Sequence, residues 1–193
     1  MNRSQALELV KPHLTESRYI HTIGVMETAI ILAERFGEDT KKAEMAAILH
    51  DYAKYRDKNE MRQLVKSELS CLDILDYGDE LLHAPCGAYY VEKELGITDR
   101  DIISAICYHT TGKPKMTGLE KVIFLADYIE PNRQFPGVDE VREIAKSNLD
   151  SAIIQMLENM IRFLLSKRQV LYPLTLETYN YLITHFEGSY DKE

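Results

Sequence analysis

Apolar residues recur three and four apart along almost the whole chain, the period of helices that turn one face inward. The clearest stretch predicts a helix from about Glu16 to Phe36, where His21, Val25, Ala29, Leu32 and Phe36 share one stripe. Gly37 follows where a left-handed C-terminal cap is wanted. The same period predicts helices from about Lys41 to Tyr55 and from Asn59 to Leu69, the latter charged on its outer face. Pro85 suits the first turn of a helix that runs to Leu95 and is closed by Gly96. Thr98-Asp-Arg-Asp101 has the spacing of a capping box, with Asp for Glu, and starts a helix that ends near His109. After the Thr110-Thr-Gly-Lys-Pro break, periodicity resumes from about Thr117 to Glu130 and stops at Pro131, because the residue before a proline is disfavoured in the α region. Beyond the Gln134-Phe-Pro-Gly loop, helices are expected from about Val138 to Ser147, from Leu149 to Val170, and from a Thr175 cap to about Phe186. Alternating β-branched runs are absent, so the expected fold is all-α, with about nine or ten helices in a single domain over residues 1–193.

Composition narrows what such a bundle does. With 45% apolar and 28% charged residues, the chain has the balance of an ordinary folded protein. Its apolar runs are far shorter than the ~20 residues a bilayer span needs, and no secretory leader is visible at the N-terminus. A cytoplasmic address with no membrane partner is expected. The net charge of −8 argues against a nucleic-acid partner, since a broad phosphate-neutralising surface is lacking. Cys71, Cys86 and Cys107 are too few and too scattered for a disulfide framework and are read as reduced, packed thiols.

The residues able to do chemistry stand at unusual places. His21 shares its stripe with Val25, Ala29 and Leu32, so its ring is expected to point inward. His50 and Asp51 close the small, apolar run Met45-Ala-Ala-Ile-Leu. Asp127 lies inside Val122-Ile-Phe-Leu-Ala-Asp-Tyr-Ile, where an unpaired carboxylate would cost several kcal/mol, so it needs a cation or several donors. His109 trails Ile102, Ala105 and Ile106, and His83 stands just before the helix opened by Pro85. Any one of these alone is an ordinary core residue. Together, two imidazoles and two carboxylates from three helices make a divalent metal site of His21, His50, Asp51 and Asp127. A nitrogen and oxygen donor set without thiolate suits Fe, Mn, Co or Zn. His83 and His109 either bind a second ion, with Asp51 as bridge, or donate hydrogen bonds to a phosphate. His13 and His185 are expected at the surface. Tyr52, Tyr55, Tyr128 and Tyr172 are available either for packing or for stacking on a nucleobase.

The order His21…His50-Asp51…Asp127 resembles the HD superfamily of metal-dependent phosphohydrolases. The strings Arg18-Tyr-Ile-His21, His50-Asp-Tyr-Ala-Lys54, His83-Ala-Pro-Cys-Gly-Ala, His109-Thr-Thr-Gly-Lys-Pro and Asp127-Tyr-Ile-Glu-Pro-Asn-Arg133 are similar to the YqeK branch, the bacterial symmetrical diadenosine tetraphosphatases, over about residues 3–186. The resemblance implies an HD-domain helical bundle, one or two divalent ions with iron foremost, and hydrolysis of diadenosine tetraphosphate to two ADP by metal-activated water. It implies a dinucleoside polyphosphate partner, with ADP or GDP as product or analogue, and a homodimer. On this reading Asp51, Lys54, His83 and His109 are catalytic. Arg18, Lys54, His83, His109, Thr110, Thr111 and Arg133 bind substrate, the basic groups answering its phosphates. His83 and His109 are candidates to protonate the leaving oxygen. Other nucleotides (a nucleoside triphosphate, a guanosine alarmone or a nucleoside monophosphate) remain open as substrates, as does a non-catalytic nucleotide-binding regulatory domain.

Overall fold

Helix ends in this chain are set by short polar side chains. In the computed structural model, which describes residues 1–185, Thr15, Asp39, Asp57, Asp99, Thr117 and Asn148 each accept hydrogen bonds from the first-turn amides of the helix that follows. Gly37 and Gly96 close two helices in the left-handed conformation. The resulting α-helices are α1 (Arg3–Val10), α2 (Glu16–Phe36), α3 (Thr40–Leu49), α4 (Lys58–Glu68), α5 (His83–Leu95), α6 (Arg100–Cys107), α7 (Gly118–Ile129), α8 (Val138–Ile144), α9 (Leu149–Ser166) and α10 (Pro173–His185). No strand occurs among the described residues, as the periodicity predicts.

Several boundaries differ from expectation, each for a local reason. The helix expected to reach Tyr55 ends at Leu49, and residues 50–56 form tight turns instead, with the amides of Tyr52, Lys54 and Arg56 bonded three residues back. Those turns let His50 and Asp51 face a common point, which adjacent positions on one helix, ~100° apart, do poorly. Asp99, not Thr98, caps α6, because its carboxylate reaches the amides of both Asp101 and Ile102. α5 begins at His83, two residues before Pro85, so His83 belongs to its first turn. α8 and α9 stop at Ile144 and Ser166, short of Ser147 and Val170. α10 starts at Pro173, leaving Thr175 inside it and buried, and its expected end at Phe186 lies outside the described residues. The pattern also left four short elements unassigned. α1 is opened by an Asn2–Gln5 capping box, and 3-10 turns occupy Lys11–His13, Leu72–Asp76 and Asp79–Leu81.

α2 packs against α3 and α7, α6 against α5, α3 and α7, and α9 against α7, α8 and α10. Val25, Leu32, Leu49, Ile106, Ile123, Leu125, Ile153 and Leu157 are among the side chains that fill the space between them. A smaller cluster, around Ala53, Met61, Leu82, Cys86 and Tyr172, ties α4 to α5. Burial pushes the Cys86 and Cys107 thiols up to about 12, so both are inert packing groups, in line with the sequence reading. The break after α6 is held by Gly112, whose φ is +63°. A Cβ there would lie 2.7 Å from Thr178 Cγ2 and 3.0 Å from Phe124 Cε1. Gly112→Ala is therefore expected to lower stability by about 2 kcal/mol, combining left-handed strain with overpacking. Urea unfolding measures it, and a neutral result would refute the fit described.

Candidate metal centre

Six side chains from five segments meet at one buried point. His21 comes from the second turn of α2, His50 and Asp51 from the end of α3, and His83 from the start of α5. His109 follows α6, and Asp127 stands near the end of α7. His21, His50, Asp51, His83 and His109 are all buried, while the Asp127 side chain keeps 21% of its surface.

Backbone carbonyls decide which ring nitrogens face this point. Nδ1 of His50 lies 2.6 Å from the Ala47 carbonyl, Nδ1 of His83 2.7 Å from that of Glu80, and Nδ1 of His109 2.7 Å from that of Ile106. A carbonyl only accepts, so each Nδ1 carries a proton and each Nε2 is the atom turned to the cluster, a lone pair whenever the ring is neutral. His21 is held likewise, its Nδ1 donating to Glu130 Oε1 at 3.0 Å. Nε2 of His21 stands 2.9 Å from Asp127 Oδ1, and Nε2 of His50 stands 3.1 Å from Asp51 Oδ2. Both Nε2 atoms are buried and lack a hydrogen-bond partner. Lone pairs opposed to carboxylate oxygens at these distances fit a cation between them.

Asp51 divides the cluster into two halves. Its Oδ2 faces His50 and, at 3.8 Å, His21, while its Oδ1 lies 3.2 Å from His83 Nε2 and 3.9 Å from His109 Nε2. The Nε2 atoms of His83 and His109 are themselves only 3.1 Å apart. Two groupings have the spacing of a metal site, His21–His50–Asp127 and His50–Asp51–His109. Burial opposes the charged form of both carboxylates, but neighbours overcome it. His50 and His83 hold Asp51 well below the usual range, and His21, His50 and Arg133 do the same for Asp127. Desolvation, the largest cause, lowers His109 to about 3, so its imidazole is neutral at pH 7.

The expected basic groups ring the cluster. Arg18 donates to Asp51 Oδ2 at 3.1 Å and Arg133 to Asp127 Oδ1 at 2.9 Å, while Lys54 Nζ stands 3.5 Å from His83 Nδ1. The Thr110 hydroxyl is buried with no partner. Thr111 is buried too, and its hydroxyl donates to the Gly112 carbonyl, which makes it an anchor of the loop. Among the tyrosines, Tyr52 is buried and donates to Glu94, and Tyr172 packs on Tyr77. Tyr128 faces a cavity beside the cluster. His185 is exposed as expected, whereas His13 is half-buried with its ring edge-on to Tyr52.

Two residues of the site escaped the sequence reading. Glu130 is 1% exposed; its Oε1 takes the His21 proton and its Oε2 accepts from the backbone and side-chain amides of Asn132 at 2.7 and 2.9 Å. Pro131 forces Glu130 into an extended conformation, which swings its side chain back toward α2. Arg142 of α8 then donates to the carbonyls of Ile129, Glu130 and Arg133, fixing this turn. A signal for Glu130 does exist in Gly24, one turn after His21, where a Cβ would come within 2.4 Å of Glu130 Oε2.

With this geometry, a match to the HD domain model over residues 18–132 spans every residue of the cluster. The chain belongs to the HD domain family. The HD chain is 68% identical over 183 residues to a protein of Halalkalibacterium halodurans named bis(5'-nucleosyl)-tetraphosphatase, symmetrical, covering 95% of this chain and 98% of that one. A Bacillus subtilis protein of the same name is 59% identical, covering 95% and 99%. A crystal structure from Clostridium acetobutylicum, described as a predicted HD superfamily hydrolase involved in NAD metabolism, superposes with a TM-score of 0.89 at 40% identity, covering 95% of this chain and 98% of that one. The HD chain is thus an all-α hydrolase of this superfamily, and HD domains bind divalent metals.

Gly24 tests the packing behind His21. At an exposed helix position Gly→Ala would gain about 1 kcal/mol. Here the new methyl meets a carboxylate already tied at both oxygens, so Gly24→Ala is expected to lose about 1–2 kcal/mol net. A rise in the thermal unfolding midpoint would show that Glu130 is free to move aside.

Proposed function

We propose that the chain is a metal-dependent symmetrical bis(5'-nucleosyl)-tetraphosphatase that hydrolyses diadenosine tetraphosphate to two ADP in the cytoplasm. The observation that carries this reading is the buried set of lone-pair nitrogens and carboxylate oxygens around Asp51, in a chain with near-full-length relatives of that name. His21, His50, Asp51 and Asp127 would hold one divalent ion, iron foremost. A second would be held by His83, His109 and Asp51, whose donor atoms lie close together, the two Nε2 atoms 3.1 Å apart. Such ions supply Lewis acidity and an activated water.

The protein's own part is positioning and charge. Water adds to the phosphorus beside the centre of the bridge, and the central P–O bond breaks, releasing one ADP with the bridging oxygen and leaving the other with the oxygen of water. Arg18, Lys54 and Arg133 would each give hydrogen bonds to the phosphates, which lets a chain of net charge −8 bind a polyanion at one mouth. Thr110 has a free hydroxyl for the same purpose. A neutral His109, with its Nδ1 proton committed to Ile106, suits a ligand and not the acid that protonates the leaving oxygen. Glu130 orients His21 and strengthens it as a ligand.

Asp127→Ala is expected to lose metal by elemental analysis and to stop ADP formation. Persistence of both would defeat the ligand assignment. Lys54→Ala should keep its metal and lose about 10²-fold in turnover; a parallel loss of metal would make Lys54 part of the fold. Glu130→Gln should weaken metal affinity about 10–100-fold in chelator competition, with little change in melting temperature. Chromatography of products from diadenosine tetraphosphate, a nucleoside triphosphate, a guanosine alarmone and a nucleoside monophosphate decides the substrate. Turnover of only the last three would overturn the reading.

A further inference from the structure

Two concavities reach the metal cluster, and Arg133 lines both. One is the cavity faced by Tyr128. The other is a cleft of about 370 Å³ between the start of α2, Tyr55 in the turns after α3 and the segment after α7. The two share no other lining residue, so Arg133 stands between them. The size of the cleft is within the ~300–1,000 Å³ usual for small-ligand sites.

Its chemistry is cationic inside and aromatic at the rim. His21, buried in the cluster, marks the inner end, and Arg18 and Arg133 line the way out. Both guanidiniums have donors left to give. Of five N–H groups each, Arg18 uses Nη1 on Asp51, and Arg133 uses Nε and Nη2 on Asp127. The first turn of α2, with Ser17 and Arg18, adds the partial positive charge of a helix start. Glu130 also lines the cleft, but its oxygens are turned to His21 and Asn132. At the rim Tyr55 is 53% exposed, unlike the packed Tyr52 and Tyr172. Its hydroxyl is bonded to that of Thr15 at 3.3 Å, with the Arg18 guanidinium beside it, so the ring is pinned at its tip while much of its surface stays open. Ile20, 50% exposed, extends this apolar edge.

A substrate with two identical halves needs a second place to lie. When the central P–O bond breaks, the half that keeps the bridging oxygen reaches away from the cluster through two phosphates to its own nucleoside. We propose that the cleft is the subsite of this departing half, with its two phosphates between Arg18 and Arg133 and its base against Tyr55 and Ile20. This rests on the reading of the chain as a symmetrical dinucleoside tetraphosphatase and adds which groups hold the product that leaves with the bridging oxygen. It also gives cleavage at the centre a physical cause, since a chain seated at both ends has its middle over the metal.

The test uses the metal-loaded full chain and two probes. ADP is a single half; diadenosine tetraphosphate with a methylene group in place of the central bridging oxygen carries both halves and is not cleaved there. Calorimetry is expected to show the wild-type protein binding the analogue at least tenfold more tightly than ADP. Tyr55→Ala removes the ring, and Ser17→Glu sets a carboxylate in the first turn of α2, which the helix favours and the departing phosphates do not. Each is expected to weaken the analogue about tenfold, with the tighter ADP site unchanged. Tyr55→Phe keeps the ring face and is expected to retain wild-type affinity for the analogue. Melting temperature and metal content identify a variant that has not folded; should Tyr55→Ala be one, Ser17→Glu decides. Unchanged analogue affinity in a folded Tyr55→Ala or Ser17→Glu protein overturns the subsite. So does an equal loss for ADP, a Tyr55→Phe loss as large as that of Tyr55→Ala, or a wild-type protein that binds both probes alike. If the substitutions abolish the preference for the analogue in a protein that does not cleave diadenosine tetraphosphate, the functional reading falls and the subsite stands. Cleavage with probe affinities indifferent to the substitutions has the opposite meaning.

Discussion

A buried carboxylate with lone pairs on both sides is the constraint around which this molecule is arranged. Asp51 cannot be taken out of water alone without a cost of several kcal/mol, and among the described residues its permanent cation is Arg18. Its remaining neighbours are imidazoles whose Nδ1 protons are already claimed, by backbone carbonyls for His50, His83 and His109 and by Glu130 for His21. The protein has thus spent helix-end carbonyls, at Ala47, Glu80 and Ile106, to keep nitrogen donors aimed at an anion. That arrangement is a poor way to stabilise a fold and a good way to hold positive charge supplied from outside.

The bundle serves this by bringing helix ends, not helix middles, to the cluster. His50, His83 and His109 all stand where a helix begins or stops, and each ring folds back onto a carbonyl three residues earlier. Only His21 and Asp127 project from regular helix, and these two are bound together by the α2–α7 packing. Ends are where carbonyls are unsatisfied and side chains can turn, so rigidity and access are obtained at one place.

Much of this was legible from residue spacing. His21 in an apolar stripe, Asp127 in the most hydrophobic helix and His50-Asp51 after a run of alanines are all anomalies of burial, and burial is what periodicity reports. The tight turns at 50–56 were not, because they answer to the site and not to local propensity. Glu130 and Arg142 were hidden for a related reason. Both look like surface charges at a helix end and on a short polar helix, and only the return of the chain after Pro131 turns them inward. The bare backbone at Gly24 marks the spot where Glu130 enters, though a lone glycine in a helix does not say what it makes room for.

Arg142 joins things that look separate. Its guanidinium spans the carbonyls of Ile129, Glu130 and Arg133, so the segment that backs His21 and the helix preceding α9 are braced by a single strut. Slack in the outer wall would reach the imidazole through two hydrogen bonds. The geometry of the donor cluster and the shape of the neighbouring cavity faced by Tyr128 are therefore one mechanical property, and natural variation in either is obliged to accommodate the other.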